Sequence, residues 1–131
     1  MYLDSNILIN AAISSDPHGQ SSRSLLKRIA GGEQNAAISP LVMDETLYII
    51  IPKRGLDFAI KYLRSILANP HIQVLAVDAR VLNQLPAYLE LKMAPRDAMH
   101  AATMQVHSIS TICSYDGGFD GKKGITRQVP K

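Results

Sequence analysis

The sequence predicts an α/β fold with a mostly parallel central sheet covered on both faces. Strand-like and helix-like segments alternate along the whole chain, as they do where parallel strands are joined by helical crossovers. Hydrophobic residues make up 47% and charged residues 19%, which is a globular rather than a disordered balance. The 131 residues suit one domain, here expected to span 1–131, and a chain of this size buries roughly two-thirds of its unfolded surface.

The elements follow in order. Met1 to Leu3 reads as a first strand. Ser5 and Asn6 can cap a helix running through Ile13. Asp16-Pro17 opens a second helix, with Leu25, Leu26 and Ile29 at helical spacing, and Gly31-Gly32 closes it. Ala36 to Ser39 is a short buried strand. Ser39-Pro40 pairs a capping residue with proline at the first helical position and opens a helix to about Ile51. Pro52 to Gly55 should break the chain. Leu56 to Leu67 repeats apolar residues at helical spacing, with Lys61 and Arg64 opposite. Asn69-Pro70 turns the chain into a strand at Ile72 to Val77. Asp78 caps a helix through Leu91, which Pro86 should kink or divide. Pro95 starts a helix to about His107, Thr111 to Ser114 is a strand, Gly117-Gly118 is a loop, and Ile125 to Val129 is a final edge strand.

The net charge is +3 and the pI about 9.1, which permits a nucleic-acid partner without requiring one. The one cysteine, Cys113, excludes an internal disulfide and reads as a buried thiol. No run reaches the roughly 18 apolar residues of a membrane span, and no basic segment leads an apolar one, so no membrane association and a cytoplasmic location are expected.

Four carboxylates stand in apolar surroundings, where an ionised acid needs pairing or coordination. Asp4 lies within Met-Tyr-Leu-Asp-Ser-Asn-Ile-Leu-Ile, and Glu45 within the apolar run from Leu41 to Ile51. Asp97 opens Asp-Ala-Met-His-Ala-Ala, and Asp116 follows the strand-like segment from Ser110 to Tyr115. In an open α/β sheet, sites form beyond the carboxyl ends of the strands, where the strand order reverses. All four acids can converge there. Magnesium takes oxygen ligands and keeps several waters, so a few carboxylates and a substrate phosphate suffice. Two such ions can clamp the attacking and leaving oxygens of a phosphodiester.

Each acid also has an ordinary role open to it. Asp4 can be a helix cap, Asp97 can serve a helix dipole, and Asp116 can be a turn residue before two glycines. Spacing alone does not choose between Asp44 and Glu45. Asp120 reads as a loop acid or a support for the metal. His100 shares a helix face with Asp97 and reads as structural or as a support to the site, because a di-iron bundle needs two such pairs. His18, His71 and His107 carry no signal. No closely spaced Cys and His set for zinc and no phosphate-binding glycine loop is present. Arg96 and the tail residues Lys122, Lys123, Arg127 and Lys131 are surface charges that can hold a nucleic-acid backbone beside a metal site.

Four segments in order resemble the PIN-domain family, in particular its small VapC-like toxins. They are Tyr2 to Ile9, Ser39 to Glu45, Arg96 to Thr103 and Ser114 to Asp120. The resemblance implies a three-layer α/β/α sandwich, often a homodimer. It assigns the acidic quartet to Asp4, Glu45, Asp97 and Asp116 and settles Glu45 over Asp44. It also implies a Mg2+- or Mn2+-dependent endoribonuclease that cleaves RNA and is commonly held inactive by a cognate antitoxin. Ser5 and Ser114 stand where threonine is common, and Gly117-Gly118 replaces a more polar pair. On this reading Asp4, Asp97 and Asp116 are the main metal ligands and Glu45 binds a second ion directly or through water. Asn6 and Ser114 orient ligands or water. The alternative expectation is a non-catalytic interaction module of the same fold, using the apolar helix surface between Leu41 and Leu67. A phosphoryl-accepting signalling domain fits less well, since only Asp4 follows the first strand and Asp116 stands where such domains place a lysine.

Overall fold

The computed structural model describes residues 1–131. Five short strands form one parallel sheet: β1 (Tyr2–Leu3), β2 (Ala36–Ile38), β3 (Ile72–Val74), β4 (Thr111–Cys113) and β5 (Thr126–Gln128), in the order β3-β2-β1-β4-β5. Both residues of the central β1 are buried, as are all three of β2, which explains why these strands read as unbroken apolar runs. Tyr2 is paired with Ala37 on one side and Ile112 on the other.

The connecting helices are α1 (Ser5–Ile13), α2 (Pro17–Ala30), α3 (Pro40–Arg54), α4 (Leu56–Ala68), α5 (Ala79–Glu90) and α6 (Pro95–Val106). α1 packs on α2 and α3, α3 packs on α4, and α5 packs on α6. Right-handed crossovers place the first four helices on one face and the last two on the other, giving three layers. Tyr2, Leu3, Ile7, Leu8, Ile29, Ile38, Val42, Ile112 and Phe119 are fully enclosed between the layers. The chain leaves β1 toward β2 on one side and meets β4 on the other. The strand order reverses there, and the carboxyl end of this β1–β4 pair is a crevice by construction. No helix is long and apolar enough to cross a membrane.

Several boundaries differ from those predicted. α3 does not stop at Ile51 but runs through Pro52 to Arg54, and Pro86 neither ends nor divides α5. Each proline leaves one carbonyl of the preceding turn without its N–H partner, those of Tyr48 and Leu82. Tyr48 is 75% and Leu82 57% exposed, so water can serve both groups. The break after α3 falls instead on Gly55, whose φ of +85° lets the chain reverse directly into α4. β3 ends at Val74 rather than Val77. The cap position of α1 is Asp4 rather than Ser5 or Asn6, so β1 runs into α1 with no loop.

Candidate acidic active site

Asp4 is carried out of the sheet by β1 and sits at the start of α1 in extended backbone, yet its side chain caps nothing. It is turned to other partners. The Ser114 hydroxyl donates to its Oδ2 at 2.5 Å, and Asn6 Nδ2 donates to the same oxygen at 2.9 Å. Asn6 Nδ2 also reaches Ser114 Oγ at 3.0 Å, closing a triangle between the ends of β1 and β4. Both donors are neutral and Asp4 is buried. Burial therefore holds its carboxyl above the ordinary carboxylate range, against the opposing pull of the Ser114 hydrogen bond.

Asp116 lies just past β4, capping a single 3-10 turn from Gly117 to Phe119. Gly118 N–H donates to its Oδ1 at 2.8 Å, and its own N–H donates to Ser114 Oγ at 2.9 Å. Its role as a turn residue and its place beside the other acids are thus compatible. A Cβ on Gly118 would stand 3.2 Å from Asp116 Oδ1 and 3.4 Å from Asp97 Oδ2. Glycine keeps the approach of these two carboxylates clear. Asp97 lies in the first turn of α6. Its carboxyl is also raised, first by burial and then by repulsion from Asp116 and Asp4.

Glu45 is brought in by α3, while Asp44 on the same helix is exposed to solvent, so the helix phase separates the two. His100 Nε2 meets Glu45 Oε1 at 2.7 Å, and the Ser5 hydroxyl donates to Oε2 at 3.1 Å. Burial would raise this carboxyl, but His100, Ser5 and the charge of Arg96 together hold it below the usual range. Four acids from four segments thus gather at the carboxyl edge of β1 and β4; Asp4, Glu45 and Asp116 each have donors of their own, while Asp97 stands in the opposing field of its neighbours. They do not form a closed cage: no three His, Cys, Asp or Glu side chains stand at metal-holding distance.

Of the remaining candidates, Arg96 is exposed beside Asp97 and near enough to lower Glu45. Asp120 does not join the acids. Arg127 Nε and Nη2 donate to its two oxygens at 2.7 and 2.8 Å, and Arg127 Nη1 donates to the Ser114 carbonyl at 3.0 Å. Asp120 therefore steadies, through Arg127, the backbone that presents Ser114. His107 bonds the Ala76 carbonyl, and His18 stacks on Tyr115. Cys113 is enclosed in β4 and burial pushes its thiol up to about 11, so it is a structural thiol. Sequence reasoning took Ser5 and Ser39 for helix caps and gave Tyr2 no role of its own, because the side-chain partners that Ser5, Ser39 and Tyr2 find at Glu45, Tyr2 and His100 are distant in the chain. His100 carried one signal, its three-residue spacing from Asp97, but its bond is to Glu45.

The PIN domain family model matches residues 1–124. Two mycobacterial relatives are each 30% identical over 129 residues, covering 95% of this chain and 96% of theirs: VapC ribonuclease Mb1869c of Mycobacterium bovis and ribonuclease VapC13 of Mycobacterium tuberculosis. Among solved structures, Mycobacterium tuberculosis VapC20, a sarcin-ricin loop cleaving toxin, superposes with a TM-score of 0.71 at 19% identity, over 88% of this chain and 89% of that one. The VapBC2 structure from Rickettsia felis, bound to a DNA fragment from their promoter, gives 0.72 at 19% identity over 98% and 96%. In both sequence and fold, this chain belongs to the PIN-domain family, among its VapC-like members.

Proposed function

We propose that this chain is a divalent-metal-dependent endoribonuclease and the toxin of a toxin–antitoxin pair. The observation that carries this reading is the gathering of Asp4, Glu45, Asp97 and Asp116 at the point where the strand order reverses. Relatives named as VapC ribonucleases support the reaction, and the toxin–antitoxin complexes of the same fold support the partner.

The residues present suit Mg2+ or Mn2+. The donor set is all oxygen, which these hard cations prefer. Asp4 is buried with only neutral donors, so its charge is not matched by any cationic side chain bonded to it. Gly118 leaves open the space between Asp97 and Asp116 that a side chain would fill. Asp4, Asp97 and Asp116 would hold the ion, and Glu45 would bind a second ion directly or through water. A bound Mg2+ or Mn2+ supplies a Lewis acid for the phosphate and lowers the pKa of water beside it.

The chain's own residues do the positioning. Ser114 and Asn6 fix one oxygen of Asp4, Ser5 and His100 fix both oxygens of Glu45, and Gly118 N–H fixes Asp116. Acids held in this way need little reorganisation when charge develops on the phosphate. Arg96, exposed beside Asp97, offers a cation to the RNA backbone. Tyr48, Leu56 and Leu67 leave an exposed apolar surface on α3 and α4, which supports a homodimer and an antitoxin contact.

The test is incubation of the purified protein with total RNA in Mg2+ and in excess EDTA, with the ends of the products sequenced. Cleavage in Mg2+ alone, abolished by Asp97→Asn, is the expected result. Equal cleavage in EDTA would refute the metal-dependent mechanism.

A further inference from the structure

A buried relay runs behind Glu45. Ser39 Oγ lies 2.7 Å from the Tyr2 hydroxyl, which lies 2.8 Å from His100 Nδ1, and His100 Nε2 lies 2.7 Å from Glu45 Oε1. Ser39, Tyr2 and His100 are each at most 1% exposed. The chain of bonds links β1, the start of α3 and the middle of α6. Ser39 occupies the cap position of α3, yet its side chain makes no capping bond, and its one side-chain partner is Tyr2. A serine at that position ordinarily caps the helix. Here its hydroxyl is committed to the relay.

We infer that His100, held by Tyr2 and Ser39, is a positioning residue that fixes the orientation of Glu45 toward the catalytic cation. This rests on the metal-dependent reading proposed above. A carboxylate only accepts hydrogen bonds, so Nε2 carries a proton whenever it bonds Glu45. When the ring is neutral, Nδ1 is bare and the Tyr2 hydroxyl donates to it, while Tyr2 oxygen accepts from Ser39. When the ring is charged, Nδ1–H donates to Tyr2 and Tyr2 donates to Ser39. The two hydroxyls rotate to suit either case, and Nε2–H faces Glu45 in both. With Ser5 on Oε2 and His100 on Oε1, each carboxylate oxygen has one donor and keeps lone-pair capacity for another partner. A donor behind a metal-binding group typically alters ion affinity by about 10- to 100-fold.

The test uses amides that copy one ring nitrogen each. Gln at this position reaches about as far as Nε2 and can donate to Glu45, whereas Asn reaches only as far as Nδ1 and can bond Tyr2. Mn2+ affinity by calorimetry and kcat and KM on a short RNA are measured for wild type, His100→Gln, His100→Asn and Tyr2→Phe, with Asp97→Asn as control. His100→Asn is expected to weaken Mn2+ binding by about 10-fold or more and to lower kcat with KM little changed, while His100→Gln stays within about threefold of wild type. If His100→Asn does not fold, Tyr2→Phe decides. It removes the bond that holds the ring at Nδ1 while Nε2–H stays on Glu45, so nitrogen NMR of the neutral ring should still show Nε2–H, with weaker Mn2+ binding because the ring is held at one end alone. Wild-type Mn2+ affinity in both His100→Asn and Tyr2→Phe overturns the inference while leaving the metal-dependent reading intact. Failure of wild type itself to bind Mn2+, with Asp97→Asn no different, overturns both.

Discussion

The acids of this site carry an energetic cost that each residue shows differently. Asp97 is raised by burial and by the fields of Asp116 and Asp4, so without a cation its ionised form opposes folding. A carboxyl whose folded pKa lies above its unfolded value favours the fold fully below the unfolded pKa, near 4, and that contribution is lost as pH rises through the folded value. Asn does not titrate. The advantage of Asp97→Asn over wild type in EDTA should therefore be absent at low pH and open as pH rises above about 4, reaching roughly 1–3 °C in Tm at neutrality, because solvent screens this half-open group. Calorimetric scans across pH check this, and a flat difference would contradict the repulsion. Ser114 is completely buried and serves two acids, donating to Asp4 and accepting from the Asp116 N–H. Ser114→Ala should cost about 1–3 kcal/mol in urea unfolding and lower kcat by about 10-fold or more, with both effects partly restored by Ser114→Thr. Asp4, Asp97 and Asp116 stood out in the sequence because each interrupts or borders an apolar run, and the choice of Glu45 over Asp44 came from the family resemblance. The bonds from His100 to Tyr2 and Glu45 were not legible there, since they span 98 and 55 residues, separations that no local pattern reports.

At the scale of elements, the order and type of every strand and helix could be read from apolar runs, prolines and glycines, while several ends could not. Pro52 and Pro86 looked like breaks because proline removes a helical hydrogen bond, but on an exposed face water replaces it. Exposure is a tertiary property, so the sequence alone overestimates such breaks. The corner between α1 and α2 is stricter. A Cβ on Gly19 would stand 2.0 Å from the Ser14 carbonyl oxygen, and that oxygen belongs to backbone that also accepts a 2.6 Å bond from Arg23. Gly19→Ala should therefore destabilise the fold by about 2–4 kcal/mol, measured as a shift in urea midpoint, although alanine is the better helix former. An unchanged midpoint would mean that the corner opens freely.

At the scale of the whole molecule, one sheet and its two helical layers support the site from every side, and we propose that residues 1–131 unfold as one unit. A single calorimetric transition is expected. Mg2+ at about 100 times its Kd should raise stability by about 2.7 kcal/mol, roughly 5–10 °C in Tm, and substitution of Asp97 or Asp116 by Asn should abolish most of that rise. No shift in wild type would mean that the acids do not act together on an ion. The bond from Ser114 to Asp4 joins residues 110 positions apart, and the sheet places their strands side by side. This has a consequence in time. While the chain is being made, Asp4 emerges early and waits without Ser114, without Asp116 and without the strand that completes its side of the sheet. The acidic site is therefore expected to stay incomplete on the ribosome until β4 and Asp116 have emerged from it. Nascent chains stalled before Thr111 should be inactive, and chains stalled with the whole fold outside the exit tunnel should cut.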